Sequence, residues 1–333
     1  VAVKKDKSKK KKSGKLKILS IPNLNSGFEC LNNLKKPIIL LFGNHELDDE
    51  FTHEVNRFNN DMESKNTTNA KTYSSDKCKS IDLVKSQASQ YSNIKMFNDV
   101  MCRDIEGTRL IMIDTSVYEY ADITPSPDIQ CFRYIFKDNV FKNIKEVVDY
   151  QFGKIVEFIT SSYGRNIVLV GHHPLVVTKT KKGQVINKNN KYVEAVKNLK
   201  QYLPRKNLTI LCADTHLYQH DLITIDDLTI NQYIAGTGGA SLDDSNPIKL
   251  LTMDDGSINI QESIKAHGFL VCEIQANSPI NCKFIISYVP EKTVNAASAA
   301  TTAAESNMAG GRRTKNHRHR KSKRNTKKKV IMF

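Results

Sequence analysis

The chain has 333 residues, with 50 Lys and Arg against 35 Asp and Glu, a formal charge of +15 and no Trp. At 39% hydrophobic, with several apolar runs in its middle, it can bury a core, which excludes disorder throughout. No run approaches the roughly 20 apolar residues that a membrane-crossing helix needs. The charge is segregated: residues 1–17 carry +8 and residues 291–333 carry +10, which leaves the body, 18–290, at −3. A uniformly basic surface on the fold is therefore excluded.

In chain order, residues 1–17 are Lys, Ser and Gly, a basic flexible arm or loop remnant without the apolar stretch of a signal peptide. Pro37–Phe42 is an unbroken apolar run ended by Gly43, which predicts a strand buried on both faces. Residues 55–92 are polar and predict a surface insertion with little regular structure. Arg109–Asp114 predicts a second buried strand. Over 142–161, Ile144, Val148, Phe152, Ile155 and Ile159 recur at steps of three and four, the spacing of a helix with one apolar face. The strand Asn166–Val170 follows, ended by Gly171. The unit then repeats, with Val193, Val196, Leu199, Tyr202 and Leu203 on one helical face, Pro204 closing it and Leu208–Cys212 as the next strand. Helix followed by buried strand, twice over, predicts an α/β fold with crossover connections.

Beyond 220 the texture becomes short strands divided by Asp-Asp, Asp-Gly and Asn-Ser-Pro turns, which predicts hairpins. Gly236–Gly239 lacks the Lys-Ser/Thr of a phosphate loop and reads as a turn requiring positive φ. Residues 291–333 read as a disordered basic tail, so that 18–290 forms the single domain. The seven cysteines include no Cys-x-x-Cys pair and several sit in strand-like runs. Reduced, buried thiols and an intracellular, cytoplasmic setting are the expectation.

Three predicted strands end in metal-competent side chains: Gly43-Asn44-His45-Glu46, Gly171-His172-His173-Pro174 and Ala213-Asp214-Thr215-His216. Ligands gather at the C-terminal edge of such sheets. Imidazole nitrogens with amide and carboxylate oxygens suit Mn, Fe, Zn or Mg rather than soft, sulfur-preferring ions. Taken singly, Asn44 could be a left-handed turn residue, His172 and His173 a strand-end pair, and Asp214 a helix cap or turn former. Taken together they would be three coincidences at equivalent strand ends, and a metal site is the better reading.

In these segments the sequence resembles the calcineurin-like metallophosphoesterases, and the purple acid phosphatase branch in particular. Gly43–Glu46, Gly171–Pro174 and Ala213–His216 with Leu217-Tyr218 carry the resemblance, and softer agreement runs over about 36–290. The resemblance implies a four-layer α/β/β/α sandwich and a hydrolase acting on phosphomono- or diesters through two divalent or trivalent metal ions. It would make Asn44 and His172 ligands of the second metal and His216 a ligand of the first. Asp214, standing where the family has His, would also bind metal, through a hard oxygen. His45 would contact the phosphate and serve as acid for the leaving oxygen, with Glu46 orienting its ring. His173 would support its neighbours or the fold and is not counted as a ligand.

The family's opening Asp-x-His and Gly-Asp-x-x-Asp motifs are absent: Asp6 is the one aspartate before Asp48, and no His precedes His45. With Val at position 1, the expectation is a chain truncated at its N-terminus and lacking its first strands. The alternative is a non-catalytic binding scaffold of the same fold. Arg312–Lys329 holds eleven basic residues, enough for non-specific attraction to nucleic acid or an anionic surface, without the interleaved aromatics that base stacking needs. The Gly-Gly-Arg-Arg-Thr start of this tail, with Lys-, Asn- and Ile-rich usage throughout, weakly resembles proteins of large DNA viruses, which would place the chain in a viral factory or virion.

Overall fold

The computed structural model describes residues 21–43, 79–121, 132–136, 139–178, 190–237, 242–245, 249–275, 278–288 and 329–332. The buried apolar runs become four parallel neighbours: β4 (Thr108–Met112), β5 (Asn166–Val170), β6 (Asn207–Cys212) and β8 (Leu228–Ala235). Every residue of β4 and β5 is buried, as expected of strands covered on both faces. Antiparallel strands widen this block into an eight-stranded sheet. On one side is β3 (Met101–Ile105), and on the other β7 (Tyr218–Ile225), β10 (Gly256–Ile264) and β9 (Leu250–Met253), in the order β3-β4-β5-β6-β8-β7-β10-β9. Because the four central strands run the same way, residues 113–115, 171–173, 213–216 and 236–237 emerge along one edge.

The crossovers match the sequence reading. Helix α5 (Ile144–Thr160), preceded by the single-turn α4 (Phe132–Ile135), lies between β4 and β5, and α6 (Asn190–Leu199), extended by a short 3-10 turn over Lys200–Tyr202, lies between β5 and β6. The start of α5 is fixed by Asn143, whose side chain accepts a hydrogen bond from the Glu146 amide at 3.0 Å. Glu146 reaches back to the Lys142 amide at 2.8 Å, so two otherwise unpaired amides are satisfied. The buried face of α5 is Val147, Gln151, Ile155 and Ile159, with Ile144, Val148 and Phe152 only half-buried. The expected stripe is therefore rotated, and a glutamine sits within it. The reason is that Gln151 bonds the backbone beyond β4.

The hairpins also form. Asp226 and Asp227, at φ of 45° and 66°, turn β7 into β8; a further hairpin that the sequence reading did not anticipate turns β3 into β4 at Glu106-Gly107, at 48° and 75°. Of the glycines in the Gly236–Gly239 turn, Gly238 and Gly239 lie outside the described residues, and Gly236 has no positive φ. Its requirement is space, because a Cβ there would lie 2.2 Å from the Thr215 carbonyl oxygen.

Four expectations are corrected. Pro37–Phe42 yields a strand of only three residues, β1 (Ile38–Leu40), which is half-buried. It pairs in parallel with β2 (Ile94–Met96), outside the large sheet. The polar stretch 55–92 ends in a regular helix, α2 (Lys79–Ala88), which follows α1 (Ile21–Asn33) and turns Ile81, Val84 and Ala88 into the core. Cys272 and Cys282 are not reduced thiols. They stand directly opposite each other where β11 (His267–Ile274) meets β12 (Asn281–Tyr288), and are joined as a disulfide, so this pair gives no support to a reducing compartment. Finally, Lys329–Met332, inside the predicted tail, is a strand, β13, antiparallel to β11. Its Val-Ile pair supplies adjacent β-branched apolar residues within an otherwise basic stretch.

The strands β12-β11-β13 make a second sheet. It meets the first where the rings of Tyr218 and Phe284 stack with centroids 4.4 Å apart. At the edge beyond β8, the Thr237 hydroxyl donates to the Gly268 carbonyl at 2.8 Å and accepts from its amide at 3.2 Å. No described helix is long and apolar enough to cross a membrane.

Candidate metal centre

The edge where the parallel strands end is where the chemistry-bearing side chains collect. Beyond β5, Nε2 of His172 lies 3.7 Å from Oδ1 of Asp214, which follows β6. Ligand atoms of His172, His173 and Asp214 all fall within 4.8 Å of one another. Two of the expected ligands, His172 and Asp214, thus converge from segments some forty residues apart in sequence. The Asp214 backbone takes φ of 51°, the left-handed region that Asp tolerates better than most residues.

His216 lies on the same loop but outside that three-residue group. Its amide donates to Oδ2 of Asp243 at 3.0 Å, and its carbonyl accepts from the Asp243 amide at 2.8 Å. Asn44, His45 and Glu46 lie outside the described residues.

The rest of the edge is built from β4. Asp114, Thr115 and Ser116 follow that strand and are all buried. Gln151 holds the turn from above, with Oε1 accepting from the Asp114 amide and Nε2 donating to its carbonyl, both at 2.9 Å. Asp114 Oδ1 in turn accepts from the Ser116 amide at 2.9 Å, which starts the short helix α3 (Ser116–Tyr120). Helix α3 brings Oε2 of Glu119 to 2.8 Å from Nε2 of His173. Burial of His173 works against the charged ring, but the Glu119 carboxylate beside it prevails, and the imidazole is held above its ordinary value.

Sequence reasoning marked neither Thr115 nor Glu119. The available signal was the run Asp114-Thr115-Ser116 directly after a buried strand, at the same end as the histidine and aspartate segments. It gave no means of pairing those residues with a histidine more than fifty positions away.

Below the edge, Asp221 on β7 is fully buried. It accepts from Nε2 of Gln219 at 2.8 and 3.0 Å and from Nε2 of Gln232 at 2.9 Å. Gln232 continues upward, accepting from the Leu175 amide at 2.7 Å and donating to the Val176 carbonyl at 2.9 Å. The loop that follows His172, His173 and Pro174 is thereby tied to the sheet. Desolvation pushes the Asp221 carboxyl up to about 6, against the two glutamine amides, which favour its charged form.

The donor set fits a cation. Two ligands holding a common divalent ion at about 2.1 Å stand about 3 to 3.5 Å from each other, close to the His172–Asp214 separation. Nitrogen with hard oxygen suits Mn, Fe, Mg or Zn.

No protein-family model and no curated protein matches the sequence. Among solved structures, the chain is similar to the protein described as GAP50, the anchor in the inner membrane complex of Plasmodium, at 12% identity and a TM-score of 0.37, over 63% of this chain and 59% of that one. It is similar to the purple acid phosphatase PPD1 of yellow lupin (Lupinus luteus) seeds at 10% identity and 0.41, over 79% and 47%, and to PhoD at 11% and 0.32, over 52% and 38%. The chain thus spans between 38% and 59% of the length of these three proteins. Likenesses of this size decide nothing about what it does.

Proposed function

We propose that this chain belongs to a metal-dependent phosphoesterase with the four-layer α/β/β/α arrangement, acting on phosphomono- or diesters. The observation that carries the reading is the approach of His172 and Asp214, from the ends of two adjacent parallel strands, to 3.7 Å. In this reading Asn44, His172 and Asp214 hold one ion, and His216 takes part in holding the other. His45 delivers a proton to the departing oxygen, with Glu46 turning its ring. A bound ion pair supplies charge that offsets the phosphoryl oxygens and favours in-line attack by water. The chain's own part is to fix the imidazole and the carboxylate in place before the ester arrives, and the hydrogen-bonded edge described above suits that task.

The test is to load the purified chain with Mn²⁺, Fe³⁺, Mg²⁺ or Zn²⁺, measure metal per chain after gel filtration, and follow p-nitrophenyl phosphate and bis(p-nitrophenyl) phosphate. Metal retained near stoichiometry, with His172→Ala and Asp214→Asn each losing it and lowering turnover at least tenfold, is the expected result. Retention that ignores both substitutions would overturn the site. Metal held with no turnover of either ester would overturn the catalytic half and leave a binding scaffold.

A further inference from the structure

We infer that Thr115 and Glu119 are positioning residues for the cation site, acting on His172 through its backbone and through His173; this rests on the metal-site reading above. Thr115 is fully buried. Its Oγ1 accepts from the amide of His172 at 3.0 Å and from that of His173 at 2.7 Å. A hydroxyl oxygen has two lone pairs, and both are then taken. The hydroxyl hydrogen is left for Nδ1 of His173, which stands 3.1 Å away.

With Nδ1 accepting, the ring hydrogen sits on Nε2, which lies 2.8 Å from Oε2 of Glu119, a contact between a polar ring and a carboxylate whose angle falls short of a hydrogen bond. Both ring nitrogens of His173 are occupied in this way. It is therefore withdrawn from the ligand set that its proximity alone would suggest, and Glu119, His173, Thr115 and the peptide between residues 172 and 173 form one connected chain of polar contacts, the Glu119 link electrostatic and the Thr115 links hydrogen bonds.

That chain acts on the ligand. The amide of His172 is held from the β4 side by Thr115. Its carbonyl is held from the β6 side by the Ala213 amide at 2.9 Å, one residue before Asp214. Both backbone polar groups of His172 are thus fixed between the strands flanking β5, and this fixes the distance from its ring to the Asp214 carboxylate. The packing agrees: a Cβ at residue 171 would lie 2.5 Å from Thr115 Cγ2. Glycine at 171 is what lets the threonine come close enough to bond both amides.

Titration of the chain with Co²⁺, followed by visible absorption and by calorimetry, tests the assignment without reference to activity. Thr115→Val keeps the shape and removes the hydroxyl. It is expected to weaken Co²⁺ about 10- to 100-fold, the usual consequence of losing a group that orients a ligand, and to alter the absorption bands. Thr115→Ser is expected to restore both. Glu119→Leu should weaken Co²⁺ as well, whereas Glu119→Gln, whose oxygen keeps the polar contact with Nε2, should stay within about threefold of the parent.

Wild-type affinity and spectrum in Thr115→Val, or a Ser variant no better than Val, would overturn the inference. Should Thr115→Val not fold, the Glu119 pair decides: Leu equal to the parent, or Gln as weak as Leu, would overturn it. Failure of the unsubstituted chain to bind Co²⁺ is a different result, and would overturn the metal-site reading itself.

Discussion

Gln151 shows how one residue can serve both the core and the candidate site. It sits at 0% exposure on the inner face of α5, where apolar periodicity leads one to expect only hydrocarbon. Its amide completes the peptide of Asp114 in both directions. Replacing it with Met keeps the volume but removes the two hydrogen bonds that Gln151 makes to the Asp114 backbone. At about 1–3 kcal/mol for each buried hydrogen bond lost, Gln151→Met should lower unfolding free energy by about 2–6 kcal/mol in urea titrations. Gln151→Glu should fare no better, because a carboxylate accepts from the amide but cannot donate to the carbonyl. A loss below 1 kcal/mol in the Met variant would show that the Asp114 turn is held by other means. The same residue marks the limit of what the sequence discloses. His172 and Asp214 were legible because their types and strand-end positions point to metal chemistry without knowledge of any partner. Gln151, Thr115 and Glu119 have ordinary types, and their roles exist only through partners 37 to 58 positions away.

Between elements, the second sheet depends on unequal fastenings. Strand β11 is bound on one side to the eight residues of β12 and to its disulfide, and on the other to the four residues of β13. The Cys272–Cys282 link closes a loop of ten positions. By chain-entropy reasoning, that constrains the unfolded ensemble by roughly 3 kcal/mol. Cys272→Ser with Cys282→Ser should therefore lose about 2–3 kcal/mol, and the parent should lose the same amount on reduction. Identical melting of oxidised and reduced protein would contradict the pairing. Removal of residues 329–333 should act more locally. Amides of Val271–Ile274 that face β13 should exchange with solvent about tenfold faster, the loss of one or two net hydrogen bonds, while those facing β12 keep their protection. The β11–β12 hairpin was legible from its alternating runs and Asn-Ser-Pro turn. The pairing of β11 with β13, across more than fifty residues, was not, because no turn specifies it. The same applies to β1: an apolar run announces that it will be covered, but not by which sheet.

For the whole molecule, the network around Asp221 links global stability to the position of the histidine loop. Asp221 bonds Gln219 within β7 and joins β7 to β8 through Gln232, and Gln232 carries Leu175 and Val176. Crossover helices and parallel strands could be read from the sequence because each is a local pattern. This buried cross-link could not, since Gln219, Asp221 and Gln232 look like the outward positions of half-exposed hairpin strands. Its consequence is a pH dependence of definite sign. The carboxyl is raised to about 6 in the fold from an unfolded value of about 3.9, so folding favours its protonated form. The contribution is therefore complete below about pH 4 and is lost as pH rises through about 6. A shift of this size corresponds to about 3 kcal/mol. Asp221→Asn has no charge to bury, but it must turn an N–H toward a glutamine amide. It should be clearly less stable than the parent at pH 4, and the gap should narrow by about 2–3 kcal/mol by pH 7. Urea unfolding of the two proteins at pH 4, 5, 6 and 7 measures this difference directly, since every other titrating group is common to both. A gap that stays constant across the series would mean that Asp221 ionises in the fold as it does in the unfolded chain, and that the glutamines alone secure the loop.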